Sequence, residues 1–202
     1  MVTCFGLQGT KATRCIRSTM RFNLDIGIKG LGKMKKLRFL SMFLPFPYIS
    51  EFNIVSQDFP NALQYLQVRN YPFRSLPKTF QATNLVALEM TYSKIVQLWE
   101  GGERKVLNKL RFLDLSDSML STLDLGLTPN LETLSLQRCA DLQELHMTIG
   151  CLKLTSVDLQ GSRLRTLDLC LAPNLETVIL AECCNLVELH MPDRCLNLRV
   201  SC

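Results

Sequence analysis

The chain has 202 residues, 47% of them hydrophobic and 20% charged, a balance that excludes a disordered polymer and suits one folded domain or roughly eight to nine stacked repeats. Its net charge of +5 is unevenly spread: residues 1–109 carry 16 Lys and Arg against 6 Asp and Glu, and residues 110–202 carry 7 against 12, so the halves stand at +10 and −5. The most apolar stretch, residues 37–55, contains Arg38, Glu51, Pro45 and Pro47, which denies it the roughly 20 uninterrupted apolar residues of a membrane span.

Residues 1–17 show neither the apolar stretch nor the cleavage site of a secretory signal, so the expected compartment is the cytoplasm or the nucleus. The nine cysteines are accordingly expected as thiols. Residues 1–33 are read as an irregular N-terminal strand followed by a basic junction. Apolar positions at Cys15, Met20, Phe22, Leu24, Ile26 and Ile28 predict the strand near 14–24. A stacked fold needs an end unit of different character to shield its first core layer. Gly27-Ile28-Lys29-Gly30-Leu31-Gly32-Lys33 fits the letters of a phosphate-binding loop. Met34 follows where a hydroxyl must hold magnesium, so a glycine-rich basic loop is the better reading.

Residues 34–202 read as one repeat domain. The frame Leu-x-x-Leu-x-Leu-x-x-(Ser/Cys) opens near Leu37, Leu63, Leu85, Leu110, Leu131, Leu154, Leu175 and Leu198, in steps of 26, 22, 25, 21, 23, 21 and 23 residues. Residues 110–153 lie on 154–197 without a gap, with 24 of 44 positions identical, so this half is an internal duplication. Prolines 45, 47 and 60 and the pair Gly101-Gly102 mark connections between frames, and residues 46–59 form the longest irregular segment.

This spacing defines a leucine-rich-repeat horseshoe, an α/β solenoid with a parallel concave sheet. Within each frame the last two leucines are two apart and share one face, while the residue between them takes the other. Repeats of 21 to 23 residues leave little room for convex helices, so turns, extended segments and short 3₁₀ pieces are expected there. Cys139 and Cys183 fall where Ser93, Ser118 and Ser162 fall in neighbouring repeats, a place that suits a small inward hydrogen-bonding side chain.

Catalytic or metal chemistry finds no support in this pattern. The two histidines, His146 and His190, hold equivalent places two repeats apart, about 10 Å at the spacing of parallel strands, too far to share a metal. The same holds for Cys139 with Cys183 and Cys151 with Cys195. Asp124, Asp168, Glu144 and Glu188 read as solvated positions between inward leucines. What remains is the concave face. Its mid-strand positions are Gln67, Glu89, Asp114, Ser135, Asp158 and Ile179, bordered by Tyr65, Arg69, Thr91, Phe112, Ser116, Thr133, Gln137, Thr155, Gln160, Thr177 and Glu182. Solenoids present such rows to protein partners.

Four segments add a resemblance. Gly9-Thr10-Lys11-Ala12 precedes the alternating segment, and Met34-Lys35-Lys36-Leu37-Arg38-Phe39-Leu40 follows it. Asn70-Tyr71-Pro72-Phe73-Arg74-Ser75-Leu76-Pro77 comes next, and then Ser93-Lys94-Ile95-Val96-Gln97-Leu98-Trp99-Glu100-Gly101. In this order they resemble the junction and early repeats of plant intracellular disease-resistance receptors of the TIR, nucleotide-binding, leucine-rich-repeat type. The resemblance implies a non-enzymatic recognition module that senses a pathogen effector or a guarded host protein and restrains the receptor's nucleotide switch. Taken with the charge split, this junction leads to the expectation that Lys33, Lys35, Lys36 and Arg38 form a basic patch docking on the nucleotide-binding domain of the same or a related receptor. ATP or ADP would belong to that domain, which this sequence lacks along with a TIR domain, so no cofactor is assigned to this chain. The sequence stops partway through a repeat and is expected to be a fragment, a truncated product or a partial gene prediction. The alternatives are a generic leucine-rich-repeat scaffold or adaptor and, with less support, nucleic-acid binding through the basic half.

Overall fold

The structure is a computed structural model that describes residues 13–17, 31–44, 59–99, 105–192 and 197–199. Along them lie β1 (Cys15–Arg17), β2 (Phe39–Phe43), β3 (Tyr65–Arg69), β4 (Ala87–Glu89), β5 (Phe112–Asp114), β6 (Thr122–Asp124), β7 (Thr133–Ser135), β8 (Glu144–His146), β9 (Ser156–Asp158), β10 (Thr166–Asp168), β11 (Thr177–Ile179), β12 (Glu188–His190) and β13 (Asn197–Arg199). Nine of these join side by side in the order β1-β2-β3-β4-β5-β7-β9-β11-β13, all parallel. This is the expected leucine-rich-repeat solenoid.

Backbone hydrogen bonds fix the register. The carbonyl just ahead of each strand accepts two N–H groups from the next repeat: Arg111 O takes Glu132 N at 2.8 Å and Thr133 N at 3.0 Å, and Glu132 O takes Thr155 N at 3.0 Å and Ser156 N at 3.2 Å. A tight turn precedes each frame, its first leucine N–H bonding to the carbonyl three residues back, as in Leu110 to Leu107 (3.0 Å), Leu131 to Thr128 (3.0 Å) and Leu154 to Cys151 (3.1 Å). Outside the sheet, carboxamides tie successive repeats: Asn130 donates to Asn108 O at 2.8 Å and Asn174 to Leu152 O at 2.7 Å. That contact is the physical use of the repeated Pro-Asn-Leu.

Inward residues stack into one core running from Ile16 to Cys183. Leu113, Leu115, Leu134, Leu136, Val157 and Leu159 are each wholly buried in it. The repeat that opens at Leu110 buries Leu110, Leu113, Leu115, Leu120, Leu123 and Leu125, each contributing roughly 1.5–3 kcal/mol against the ordering of the unit. The far side is extended rather than helical. There β6 pairs with β8 and β10 with β12, and Leu76 bridges to Trp99. A 3₁₀ turn at Leu125–Leu127 starts on Asp124, whose carboxylate accepts Gly126 N at 2.9 Å.

The structure corrects the reading at both ends. In β1 the side chain that packs inward is Ile16, opposite Leu40, while Cys15 is exposed, so the face assignment there shifts by one. The remainder of the expected strand, residues 18–24, lies outside the described residues, as do glycines 27 and 30, residues 46–58 and the pair Gly101-Gly102. Leu198 pairs with Val178, which puts it in the fourth place of its frame rather than the first. Counted back from that pairing, the frame opens at Cys195.

A third finding was not legible in the residues. Asn70, Tyr92, Asp117, Arg138, Gly161 and Glu182 all have a positive φ, between 52° and 69°. They recur at one place, immediately before the Ser/Cys position. Among the described residues, in all but Glu182 the left-handed bend aims the N–H at a carbonyl of the next repeat, as in Tyr92 to Ser116 O (3.0 Å), Asp117 to Gln137 O (2.8 Å) and Arg138 to Gln160 O (2.7 Å).

Candidate functional site

The register lines up the outward mid-strand residues as a single row: Arg17, Ser41, Gln67, Glu89, Asp114, Ser135, Asp158 and Ile179. Neighbouring repeats interlock along it. Ser41 Oγ donates to Gln67 Oε1 (2.5 Å), Gln67 Nε2 to Glu89 Oε2 (2.6 Å) and Tyr65 OH to Glu89 Oε1 (2.8 Å). Burial first, and then Glu89, hold the Tyr65 phenol above its ordinary range, so it stays protonated and donates. Phe39 stacks on Tyr65 with ring centroids 4.4 Å apart. Farther along, Asp114 accepts from Ser116 N (2.9 Å) and Oγ (2.6 Å), and Ser116 Oγ lies 2.9 Å from Ser135 Oγ. Asp158 accepts from Gln137 Nε2 (2.6 Å) and Gln160 N (3.0 Å), and Gln160 Nε2 reaches Glu182 (3.2 Å).

Over β1 to β7 this face encloses an open concavity of about 570 Å³, whose wall includes Gln67, Arg69, Glu89, Thr91, Asp114, Ser116, Ser135 and Gln137. Asp158, Gln160 and Ile179 continue the face beyond it. Phe112 borders the row two residues ahead of Asp114, on the same face of the strand. The border beside Thr133 and Thr177 is Ser156, not Thr155, which lies just outside β9 and turns its hydroxyl to Glu132 O (3.1 Å).

Two groups of residues on this face were missed. Arg17, Phe39, Ser41 and Phe43 belong to it, and the alternation of Leu40 and Met42 with their neighbours was signal enough to find the last three. In the rim of left-handed residues, of which only Glu182 was expected on this face, Tyr92, Asp117 and Arg138 gave no such signal. There Arg138 forms a two-pronged pair with Asp117 (2.7 and 2.8 Å), and Arg69 lies 4.6 Å above the ring of Tyr92. The pairing with Asp117 raises the Arg138 guanidinium above its ordinary range, so its charge is permanent.

Lys33, Lys35, Lys36 and Arg38 are all exposed around a turn anchored by buried Leu31, Met34 and Leu37. Lys33 and Lys35 share a groove of about 600 Å³ with Phe59, Pro60 and Asn61; Lys36 and Arg38 stand outside its wall. His146 and His190 each bond to the glutamate two residues back, at 2.9 and 2.8 Å from Glu144 and Glu188. Glu188 holds the His190 imidazole above its ordinary pKa, with a further contribution from Asp168. Among the described residues, no three His, Cys, Asp or Glu side chains gather as a metal site would require, and no helix is long and apolar enough to cross a membrane.

The sulfur positions repeat as closely as the strands. Cys139 Sγ donates to Leu115 O (3.2 Å) and lies 3.5 Å from Ser118 Oγ. Cys183 makes the same contacts with Leu159 O (3.1 Å) and Ser162 Oγ (3.5 Å). These are the partners that the place was expected to need.

A stacked parallel sheet, an aliphatic ladder beneath it and a polar face free of packing demands define a leucine-rich-repeat protein. Residues 84–101 match the family described as Leucine Rich Repeat. The chain is similar to TMV resistance protein N of Nicotiana glutinosa, 35% identical over 136 residues, which are 66% of this chain and 11% of that protein. It is 37% identical over 130 residues to disease resistance protein RPS6 of Arabidopsis thaliana, covering 62% of this chain and 10% of the relative. Disease resistance-like protein DSC1 of the same plant is 38% identical over 96 residues, 46% of this chain and 8% of the relative. The chain is thus a leucine-rich-repeat chain related to plant disease resistance proteins, and it spans about a tenth of the length of these curated relatives.

Proposed function

We propose that this chain is the protein-recognition portion of a plant innate-immune receptor, acting by binding and not by catalysis, in the cytoplasm or the nucleus. The concave face takes a partner protein, either a pathogen effector or the host protein that the effector attacks. The segment bearing Lys33, Lys35, Lys36 and Arg38 docks on a nucleotide-binding module of the same or a related receptor and holds it at rest. ATP or ADP would be bound by that module.

The observation that carries this reading is the division of labour across the sheet. The buried rows are aliphatic at nearly every step, whereas the outer row runs through an amide, carboxylates, a hydroxyl and an aliphatic without any change of register. The fold therefore leaves those side chains to be chosen for contact with something else. Relatives named for disease resistance, one of them for resistance to a virus, supply the biological setting.

The test is a chimera of TMV resistance protein N that carries this chain in place of its matching repeats, expressed in leaves and scored for cell death by ion leakage. Restraint predicts a silent chimera, released without any pathogen by the combined reversal K33E/K35E/K36E/R38E. A reversed chimera that stays silent and still co-precipitates the nucleotide-binding module would remove the docking half of the proposal. A plain scaffold, the second reading, would leave the chimera indifferent to substitutions on either surface.

A further inference from the structure

The concavity over β1 to β7 holds charges of both signs, but they are not equally committed. Glu89 accepts from Tyr65 and Gln67, Asp114 from Ser116, and Asp117 from both prongs of Arg138. Each carboxylate on this wall is therefore already hydrogen-bonded. Arg17 and Arg69, which line the same space, have no carboxylate partner among the described residues. Among the described residues, the charged side chains on this wall left without a hydrogen-bonded partner are cationic.

Arg69 is also held in place. Its guanidinium lies 4.6 Å over the ring of Tyr92, and Tyr92 is fixed by a left-handed backbone (φ 56°) whose N–H bonds to Ser116 O at 3.0 Å. On the other side Phe43 stands opposite Arg69 in the strand register. Both aromatic rings remain open to solvent, Phe43 at 38% and Tyr92 at 45%. A planar guanidinium oriented on one exposed aromatic, with a second exposed aromatic opposite it on the neighbouring strand, is the composition that carries binding energy at protein interfaces, because little side-chain freedom is left to lose on contact.

We propose that Phe43, Arg69 and Tyr92, with Arg17 beside them, form the hot spot of this face, and that its occupant is an acidic loop of a protein partner. An Asp or Glu of that loop sets its carboxylate on Arg69, and an apolar neighbour packs between Phe43 and Tyr92. The carboxylates already on the wall select a single acid over a polyanion, since a nucleic-acid backbone laid along it would meet Glu89, Asp114 and Asp117. This inference rests on the recognition reading and names the chemistry of the partner for it.

The test pans a phage-displayed library of random peptides on the immobilised full chain and measures the selected peptides by fluorescence anisotropy. The expected result is enrichment of peptides pairing Asp or Glu with an aromatic or aliphatic residue. Their affinity should fall about tenfold in Arg69→Gln, fall less in Arg69→Lys, weaken with added salt, and stay unchanged in Arg111→Gln, whose side chain pairs with Glu132 instead. Peptides that enrich without acidic residues, or that bind Arg69→Gln as well as the parent, overturn the hot spot and leave protein recognition standing. A library from which nothing is enriched counts against both. Thermal melts of the Arg69 variants that match the parent separate loss of contact from loss of fold.

Discussion

Cys139 offers the sharpest test of how the repeats hold together. It is wholly buried, and burial pushes its thiol pKa up, so the sulfur keeps the proton that the Leu115 carbonyl needs. Cys139→Ala removes a buried sulfur, about 1 kcal/mol of burial, and strips that carbonyl of its sulfur donor, roughly another 1 kcal/mol. The expected loss is about 2 kcal/mol, or a fall in Tm of about 4–8 °C for a domain of this size. Cys139→Ser restores a donor and should cost under about 1 kcal/mol, while Cys139→Val fills the space without a donor and should stay above that. Urea denaturation followed by circular dichroism, extrapolated linearly to water, gives all three values. If serine is as costly as alanine, or alanine costs nothing, the hydrogen-bonding account of this position is wrong.

Leu134→Ala should cost roughly 2–5 kcal/mol by the same melts, because Leu134 lies fully buried between Leu113 and Val157, whereas Ile179→Ala on the outer row should cost under about 1 kcal/mol; equal costs would contradict the assigned faces. A Cβ on Gly126 would stand 2.0 Å from Thr148 Oγ1, which itself bonds to Asp124 at 2.9 Å. Gly126→Ala should therefore lose about 1 kcal/mol through that displaced hydrogen bond, and a Thr148→Ala background should shrink the loss in a double-mutant cycle, leaving only the closer approach to the Asp124 carboxylate at 2.9 Å. NMR titration of the imidazole should place the His190 pKa above 6.5, with Glu188→Gln moving it down. Since the folded pKa is raised, His190 stabilises the fold fully below its unfolded value and loses that contribution as pH rises through the folded one. A midpoint at or below 6.5 would mean that the contact with Glu188 does not form in solution.

The repeat itself was plain in the residues because the fold asks for aliphatics at fixed intervals, and periodicity is what a sequence displays most directly. Leu63, Leu66 and Val68, or Leu85, Leu88 and Met90, could be assigned inward from spacing alone, and all are wholly buried. Legibility failed where a substitute hid the period. Cys195 standing for leucine moved the last frame to Leu198, and the lone Ile16 went unnoticed beside Cys15. It failed again where backbone conformation, rather than side-chain type, carried the message. Nothing marks Tyr92, Arg138 or Glu182 as left-handed, since a positive φ is ordinarily signalled by glycine or asparagine. The duplicated half shows a related compensation. Gly126 and Thr148 in the first copy become Cys170 and Pro192 in the second, so the side chain gained at one position accompanies a hydroxyl lost at its neighbour.

The rim of left-handed residues also bears on function. Every place in that column needs the same bend, and Gly161 shows that glycine satisfies it. A side chain there costs of order 1–2 kcal/mol in backbone strain for anything bulkier than asparagine or aspartate. A column shaped by stability alone would therefore favour glycine throughout, yet Tyr, Arg and Glu occupy three of its places. What these side chains provide is contact across the rim: Tyr92 under Arg69, Arg138 clamped to Asp117, and Glu182 reached by Gln160. Such contacts hold polar and aromatic groups in fixed orientations beside an open face, where a partner of the kind proposed would meet them with little ordering left to do. Strain spent on orientation at a surface the core does not need is what a binding face requires and what a purely structural edge would shed.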